Sequence, residues 1–225
     1  LIPDARVIPS LSYLEVMEHS FFGGKVMHPR SIEPAMKKNI IVRVKNTFNP
    51  SHPGTAIVRG EKRDSRVVKA LTYIDKVALI NICGAQMIGR PGVAKAIFSA
   101  LAENEVNVMM ISQGSSEANI SLIIDESQLT IATEALASIV KEGLVREVTS
   151  NRDVCAVAVV GSGMAGAKGT GGRIFTALGN GGVNVMMISQ GSSEVNISFV
   201  VKQADGPKAV RILHDEFRLS EEDYA

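Results

Sequence analysis

Val106-Asn-Val-Met-Met-Ile-Ser-Gln-Gly-Ser-Ser-Glu117 is a stretch that recurs, letter for letter, as residues 183–194. The offset of 77 residues holds without a gap between residues 84–121 and residues 161–198. Self-similarity at a fixed spacing indicates repeated structural units. The sequence therefore predicts two copies of one module.

The first copy has the pattern of a βαββαβ module. Residues 77–82 form a short apolar run typical of a buried strand, and Pro91 marks the start of a helix, where its missing N–H costs nothing. Residues 106–112 and 119–124 are β-rich runs separated by turn residues, which predicts a hairpin. A second amphipathic helix precedes a last strand over residues 144–148. This order is ferredoxin-like.

The second copy ends before its last strand. It closes on a predicted helix over residues 207–217, and the few residues after that helix are too short for the missing strand. A β-rich run at residues 67–74 precedes the first copy, and we expect it to complete the second sheet. The first module is then inserted in the second. The fold class is α+β, and the predicted domains are residues 1–60, residues 77–149, and residues 65–76 together with 150–225.

The composition argues against nucleic-acid and membrane partners. Basic and acidic residues are nearly balanced, 24 against 23, without a strongly basic run. The hairpin strands of the first copy carry no aromatic side chain that could stack a base, which argues against an RRM-like RNA-binding protein. No run approaches the roughly 20 apolar residues of a membrane span. We therefore expect a cytoplasmic protein that binds a small metabolite.

Three motifs precede the repeats: Gly24-Lys-Val-Met-His-Pro-Arg30, Glu33-Pro-Ala35 and Pro53-Gly-Thr55. They resemble the end of the catalytic domain of aspartate kinases, a family in which tandem ACT domains with Ser-Gln-Gly-Ser-Ser-Glu segments follow. The resemblance covers essentially the whole chain and implies that one ACT domain is inserted in the other. Because the chain begins without Met and lacks the family's Lys-Phe-Gly-Gly-Thr-Ser element, we interpret it as a carboxy-terminal fragment.

The resemblance also implies which chemistry belongs to the parent enzyme. The parent would phosphorylate L-aspartate with ATP and Mg²⁺ to give 4-phospho-L-aspartate, and Lys25 would touch the nucleotide phosphates. The chain alone is expected to have no catalytic residue, cofactor or metal and to be inactive, because a phosphoryl-transfer enzyme works almost entirely by positioning. His28 lies beside Pro29, and the four histidines show no metal-ligand spacing, so we expect His28 to be structural.

A Gly-rich loop after the first strand of each copy is the candidate effector site. N–H groups at a helix N-terminus bind a carboxylate without a basic side chain, and glycine lets the backbone approach closely. By resemblance, the first effector pocket consists of Met87, Gly89, Arg90, Pro91, Gly92, Val93, Ala94, Asn107, Val108, Met109 and Gln113. A possible second pocket consists of Met164, Gly166, Gly169, Asn184, Val185, Gln190, Ser192, Glu194 and Val195. The alternative is that these glycines only shape a turn and that Gln-Gly-Ser-Ser-Glu is a solvated hairpin loop.

The pocket favours threonine over lysine as a feedback inhibitor. A buried second ammonium needs a carboxylate partner, and neither the loop nor the following strand offers one. Glu117 and Glu194 would reach the ligand only if the hairpin turns fold back over it. Threonine needs a hydroxyl partner and an apolar contact, which Gln113 and Val93 or Met109 could supply. Bound effector would bias the attached kinase between two states.

The sequence allows two other interpretations. A structural dimerisation module without an effector site is the alternative function, and a homodimer or higher homo-oligomer is expected in either case, because edge strands need cover. Gly161-Ser-Gly-Met-Ala-Gly166 formally matches a dinucleotide fingerprint, but residues 183–189 lack the required acidic residue, so we reject it. The pairs Met109-Met110 and Met186-Met187 are interpreted as packing residues.

Overall fold

The computed structural model describes residues 2–24, 26–60 and 66–221 of the 225. These residues form three units, each built on its own β-sheet of three, four and four strands. In this described part, no helix is both long and apolar enough to cross a membrane. The same residues contain no group of three or more His, Cys, Asp or Glu side chains that could hold a metal ion.

The amino-terminal unit is a small sheet with two helices. Its elements are β1 (Ser10–Ser12), α1 (Tyr13–Phe21), α2 (Glu33–Lys38), β2 (Val42–Val44) and β3 (Thr55–Val58). Strand β3 lies in the centre, parallel to β1 and antiparallel to β2. Helix α1 begins with a capping box, in which the Ser12 hydroxyl accepts the Glu15 N–H and the Glu15 carboxylate accepts the Ser12 N–H.

The first repeat folds as a ferredoxin-like module, preceded by a single strand, β4 (Ala70–Ile74). The elements of the module are β5 (Val77–Cys83), α3 (Val93–Glu103), β6 (Val108–Gln113), β7 (Asn119–Asp125), α4 (Leu129–Lys141) and β8 (Glu147–Asn151). The strand order is β6-β7-β5-β8, and all neighbours are antiparallel. This is the predicted βαββαβ arrangement.

The second repeat uses β4 to complete its sheet. Its own elements are β9 (Cys155–Val160), α5 (Thr170–Asn180), β10 (Met187–Gln190), β11 (Asn196–Val201) and α6 (Gly206–Glu216). The strand order is β10-β11-β9-β4, with Ala70 opposite Val160 and Ile74 opposite Ala156. The first module is therefore inserted between β4 and β9 of the second, and the predicted fold is confirmed.

The two modules pack sheet against sheet, with their helices on the outer faces. In β5, Ile80 and Ile82 are buried against α3 and α4, whereas Val77 and Leu79 are buried in the cluster between the two sheets. Strand β9 alternates in the same way between α5 and α6 on one face and the first module on the other. Phe22, just after α1, enters the cluster between the sheets. The amino-terminal unit thus also contacts both modules.

Several element boundaries differ from the sequence prediction, and those of α3 and β8 have a clear structural cause. Helix α3 begins at Val93 rather than at Pro91, because Gly92 is the N-cap and has a left-handed φ of 93°. Strand β8 begins and ends three residues later than the predicted 144–148. The reason is that the chain buries Val145 in the core before the strand begins, and regular pairing with β5 starts only at Glu147.

Candidate functional site

A loop joins β5 to α3 in the first module. It makes a short turn at Ala85–Met87 and then bends at Gly89 and Gly92, whose φ angles of 63° and 93° favour glycine. Met87 is buried and anchors the loop in the core, whereas both glycines are exposed. The N-cap Gly92 has no side chain to accept from the first turn of α3. The loop therefore leaves backbone N–H groups at a helix N-terminus, a setting that suits an anion.

The hairpin turn after β6 folds back onto this loop. The Glu117 carboxylate accepts a hydrogen bond from the Gly89 N–H at 2.9 Å, and in the second module the Glu194 carboxylate accepts one from the Gly166 N–H at 2.6 Å. Both glutamates have positive φ angles, 58° and 54°, which are uncommon for residues other than glycine. The condition under which Glu117 and Glu194 would come near the ligand is therefore met, because each hairpin turn folds back onto its loop.

The members of the first predicted pocket are divided between core and surface. Met87 and Val93 are buried, and Val108 and Met109 are half-buried. The remaining members are exposed: Gly89, Arg90, Pro91, Gly92, Ala94, Asn107 and Gln113. Gln113 is the last residue of β6, and its backbone pairs with Ile120. The polar members of the pocket thus lie at the surface, on the loop and at the end of the hairpin strand.

The second predicted pocket has the same distribution. Met164 and Val195 are buried and Val185 is half-buried, whereas the other members are exposed: Gly166, Gly169, Asn184, Gln190, Ser192 and Glu194. Gly166 and Gly169 repeat the left-handed turns of the first loop, with φ angles of 71° and 84°. In both copies the structure therefore joins the Gly-rich loop to the hairpin turn through the glutamate.

The glycines at the start of the second loop have a packing role. A Cβ atom at Gly161 would lie 2.4 Å from the Val67 carbonyl oxygen, and one at Gly163 would lie 2.5 Å from the Arg66 carbonyl oxygen. These are backbone atoms of the segment that leads into β4, so rotation of a side chain cannot relieve the contact. At the position of Gly163, the first module has Gln86, which is exposed. Close backbone packing therefore explains why glycine occupies positions 161 and 163, the first two glycines of the motif that resembles a dinucleotide fingerprint.

A fully buried carboxylate joins the amino-terminal unit to the second module. Glu15 of α1 is 0% exposed and accepts the Ser12 N–H, the Ser162 N–H and the Ser162 hydroxyl, each at 2.7 Å. The buried Lys69 ammonium lies 3.3 Å away. Burial alone raises the pKa of the Glu15 carboxyl, but the hydrogen bonds from Ser12 and Ser162 and the charge of Lys69 outweigh it. The pKa of Glu15 therefore lies below its ordinary value.

This cluster is not predicted by any pattern in the sequence. Ser12-Tyr-Leu-Glu15 fits the capping-box pattern, so the start of α1 was visible in the sequence. The contact between Glu15 and Ser162 spans 147 positions, and no local pattern indicates it. Ser162 replaces Ala85 of the first copy, and this departure from the repeat is the one signal that could have pointed to it.

A second contact joins α1 to the second hairpin. One turn after Glu15, the Glu18 carboxylate accepts a hydrogen bond from the Asn196 side-chain amide at 2.8 Å. A cavity of about 360 Å³ lies beside this contact, lined by α1, by Met109 and Met110 of the first module and by the second hairpin. All three units therefore meet at this point.

The kinase-like motif is only partly described. Lys25, the predicted phosphate contact, lies outside the described residues. His28 caps the short turn Pro29–Ile32, and its Nδ1 accepts the Arg30 N–H at 3.2 Å. This contact supports a structural role for His28.

The repeats also match a known family. A family model described as the ACT domain matches residues 80–139 and 157–217, which is more than half of the chain. The chain belongs to the ACT-domain family. The two matched segments fall within the two ferredoxin-like modules, so the identification rests on both copies.

Several aspartate kinases are similar to this ACT-domain chain over nearly its whole length. The bifunctional aspartokinase/homoserine dehydrogenase 1, chloroplastic, of Arabidopsis thaliana is 41% identical over 229 residues, which cover 97% of this chain and 25% of the relative. The structure of Clostridium acetobutylicum aspartate kinase matches with a TM-score of 0.88 and 30% identity, covering 96% of this chain and 50% of that one. E. coli aspartokinase III, in complex with lysine and aspartate, matches with a TM-score of 0.77 and 26% identity, covering 93% and 46%.

These matches confirm the resemblance to aspartate kinases that the sequence motifs indicated. The ACT-domain chain spans about a quarter of the length of the bifunctional aspartokinase/homoserine dehydrogenases it matches. The cytoplasmic location stays a prediction, because the Arabidopsis relative is chloroplastic.

Proposed function

We propose that this chain is the amino-acid-sensing regulatory region of an aspartate kinase. The observation that carries the proposal is the carboxylate that rests on the same loop N–H in both modules, Glu117 on Gly89 and Glu194 on Gly166. An amino-acid effector brings a carboxylate of the same kind to the same exposed donors. The complex of E. coli aspartokinase III with lysine and aspartate supports an amino acid as the ligand.

Threonine is the effector that we propose in preference to lysine. Glu117 is exposed and already accepts the Gly89 N–H, so its pairing with a lysine side-chain ammonium would be screened by water and contribute at most about 1 kcal/mol. Gln113 offers both a donor and an acceptor to the threonine hydroxyl. The half-buried Met109 offers an apolar contact for the threonine methyl group.

The catalytic activity is proposed for the parent protein. It would transfer phosphate from ATP to L-aspartate with Mg²⁺, and Lys25 would contact the nucleotide phosphates. The chain itself would bind no cofactor. It would report effector binding to the attached catalytic domain, as a coupling between two sites.

The purified chain is expected to show no aspartate-dependent ATP turnover. Phosphoryl transfer depends on a complete set of groups that position the phosphates, and the family's amino-terminal phosphate-binding motif does not occur in this sequence. A coupled assay for ADP release, with heat-treated protein as the control, measures this. Turnover above the control that depends on aspartate would contradict the prediction.

Calorimetric titration with threonine, lysine, methionine and isoleucine tests the proposed site. We expect threonine to bind most tightly, and Gln113→Ala to weaken it by about 1–3 kcal/mol through the loss of a hydrogen bond. Gln190→Ala, at the equivalent position of the second module, is the matched control that shows whether one pocket or both bind. Tighter binding of lysine than of threonine would overturn the effector assignment, and unchanged binding in both variants would overturn the role of the glutamines.

Self-association is expected through the edges of the ACT sheets. Ile111 on β6 and Ile188 on β10 are 47% and 44% exposed, and both strands end their sheets. Sheet edges with exposed apolar side chains pair readily with another copy. Sedimentation at micromolar concentration should therefore show a species larger than the 24.0 kDa chain. A dimer that binds none of the four amino acids would favour the alternative of a structural dimerisation module, and a single 24.0 kDa species would contradict the prediction.

A further inference from the structure

We infer that Glu15 is a positioning residue that couples the Gly-rich loop of the second module to helix α1, so that a displacement of this loop is transmitted to the amino-terminal unit. The inference depends on the proposed function only for its biological purpose. Its contacts are in the structure, and they can be tested without an effector.

A continuous set of contacts runs from the second hairpin to α1. Glu194 in the hairpin turn holds the Gly166 N–H at one end of the loop. At the other end, Ser162 donates both its N–H and its hydroxyl to Glu15. Between them, the loop makes a single short turn at Ser162–Met164, and Met164 is buried. A ligand carboxylate that replaces Glu194 on Gly166 would therefore act on a short segment whose other end is fixed to α1.

Glu15 is held firmly enough to act as this connection. Its carboxylate accepts three hydrogen bonds at 2.7 Å and lies 3.3 Å from the Lys69 ammonium, without exposure to water. A buried carboxylate that moves away from such partners loses the interactions that compensate for its lost hydration, so separation of α1 from the loop is strongly disfavoured. Loop and helix are expected to move together.

The first module has no equivalent connection within the described residues. Ala85 stands where the second module has Ser162, and it offers no hydroxyl. Asn119, the counterpart of Asn196, turns back to its own hairpin and accepts the Gly114 N–H at 3.0 Å. Asn196 instead donates to Glu18 of α1. Within the described residues, the two modules thus share the loop and hairpin, but the hydrogen bonds to Glu15 and Glu18 of α1 come from the second.

The two hairpin glutamates provide a matched pair of variants. Glu194→Ala removes the contact that holds the second loop, and Glu117→Ala removes the same contact in the first. Amide hydrogen exchange of α1 is compared between the two variants, with α4 of the first module as an internal reference for global stability. We expect Glu194→Ala to raise exchange in α1 by about threefold to tenfold relative to α4, and Glu117→Ala to leave it within about twofold.

Ser162→Ala then tests whether Glu15 carries the effect. In this background the loop no longer donates its hydroxyl to Glu15, and the additional effect of Glu194→Ala on α1 should fall by at least about half. A residue that only stabilises the fold would change exchange additively and in every helix. Equal effects of the two glutamate variants on α1, or an unchanged effect of Glu194→Ala in the Ser162→Ala background, would overturn the inference. If Glu194→Ala does not fold, Glu194→Gln replaces it, with Glu117→Gln as its control.

Addition of threonine, and separately of lysine, to the wild-type chain gives an effector arm. A change in α1 exchange that is lost in Ser162→Ala, while calorimetry still detects binding, supports the coupling. Absence of binding to either amino acid would contradict the proposed function alone, because the comparison of the glutamate variants contains no ligand. Binding that leaves α1 exchange unchanged would contradict the coupling.

Discussion

Glu15→Gln is expected to lower the free energy of unfolding by about 3–5 kcal/mol, because it removes the charge of a fully buried carboxylate without removing the partners of that charge. The amide cannot accept through its NH₂ group. At least one of the donors from Ser12, Ser162 and Lys69 then loses its acceptor.

Urea unfolding followed by circular dichroism measures this effect as a lower midpoint. Glu18→Gln, one turn later in α1, is the matched control, since Glu18 is only half-buried and its carboxylate accepts from the Asn196 side-chain amide. We expect the control to cost no more than about 1.5 kcal/mol. A Glu15→Gln protein as stable as the Glu18→Gln protein would show that the cluster contributes little.

The same carboxylate gives the protein an acid-sensitive stability. The pKa of Glu15 is lowered in the folded state, so its stabilising effect is complete above the ordinary carboxyl value of 4.5 and is lost as the pH falls through the lower folded value. The pKa of His19 is also lowered, in this case by burial itself, which makes stability decline as the pH falls below 6.5. In Glu15→Gln, the loss below pH 4.5 should be smaller than in the wild type, whereas the decline that begins near 6.5 should persist.

Gly163→Ala is expected to destabilise the chain by about 1–3 kcal/mol or more, because overpacking against backbone cannot be relieved by a rotamer change. Its new Cβ atom would lie 2.5 Å from the Arg66 carbonyl oxygen. The segment that leads into β4 would have to move away from the loop, and β4 is the strand that completes the second sheet.

Gly179→Ala is the matched control for this substitution. Gly179 lies in α5, and a Cβ atom there would meet nothing within 4 Å. Alanine is preferred to glycine in helices, so this variant should gain about 0.5–1 kcal/mol. Opposite signs for the two substitutions are the expected result of urea unfolding. Destabilisation of equal size in both would contradict the packing explanation of Gly163.

Much of the fold could be predicted because the chain contains two copies of one pattern, and the residues that the copies share reveal the elements of the module. The βαββαβ order followed from residues shared between the copies, and the unused run at residues 67–74 pointed to the inserted arrangement. The boundaries of β8 were less predictable, since burial of Val145 before the strand begins depends on the packed core. Apolar residues alone do not show where pairing starts.

The candidate site was predicted less well than the fold. The Gly-rich loop was recognisable from its glycines, but the return of Glu117 onto Gly89 depends on a left-handed φ at a glutamate, which its residue type does not favour. The connection from Glu15 to Ser162 depends on how α1 packs against the second module. Contacts of this kind come from tertiary structure, and a search for local motifs does not detect them.

The inserted arrangement has a consequence for biosynthesis. During translation β4 emerges first, but its partner β9 follows only after the whole first module has been made. All strands of the inner module are synthesised before β9, so this module can fold as an independent unit, as domains generally do during synthesis. In the outer module, β4 stays unpaired until β9 has been synthesised, and pairing of two strands so far apart in the sequence is slow. The completed inner module helps here, because it returns the chain to the end of β4, where Ile74 meets Ala156.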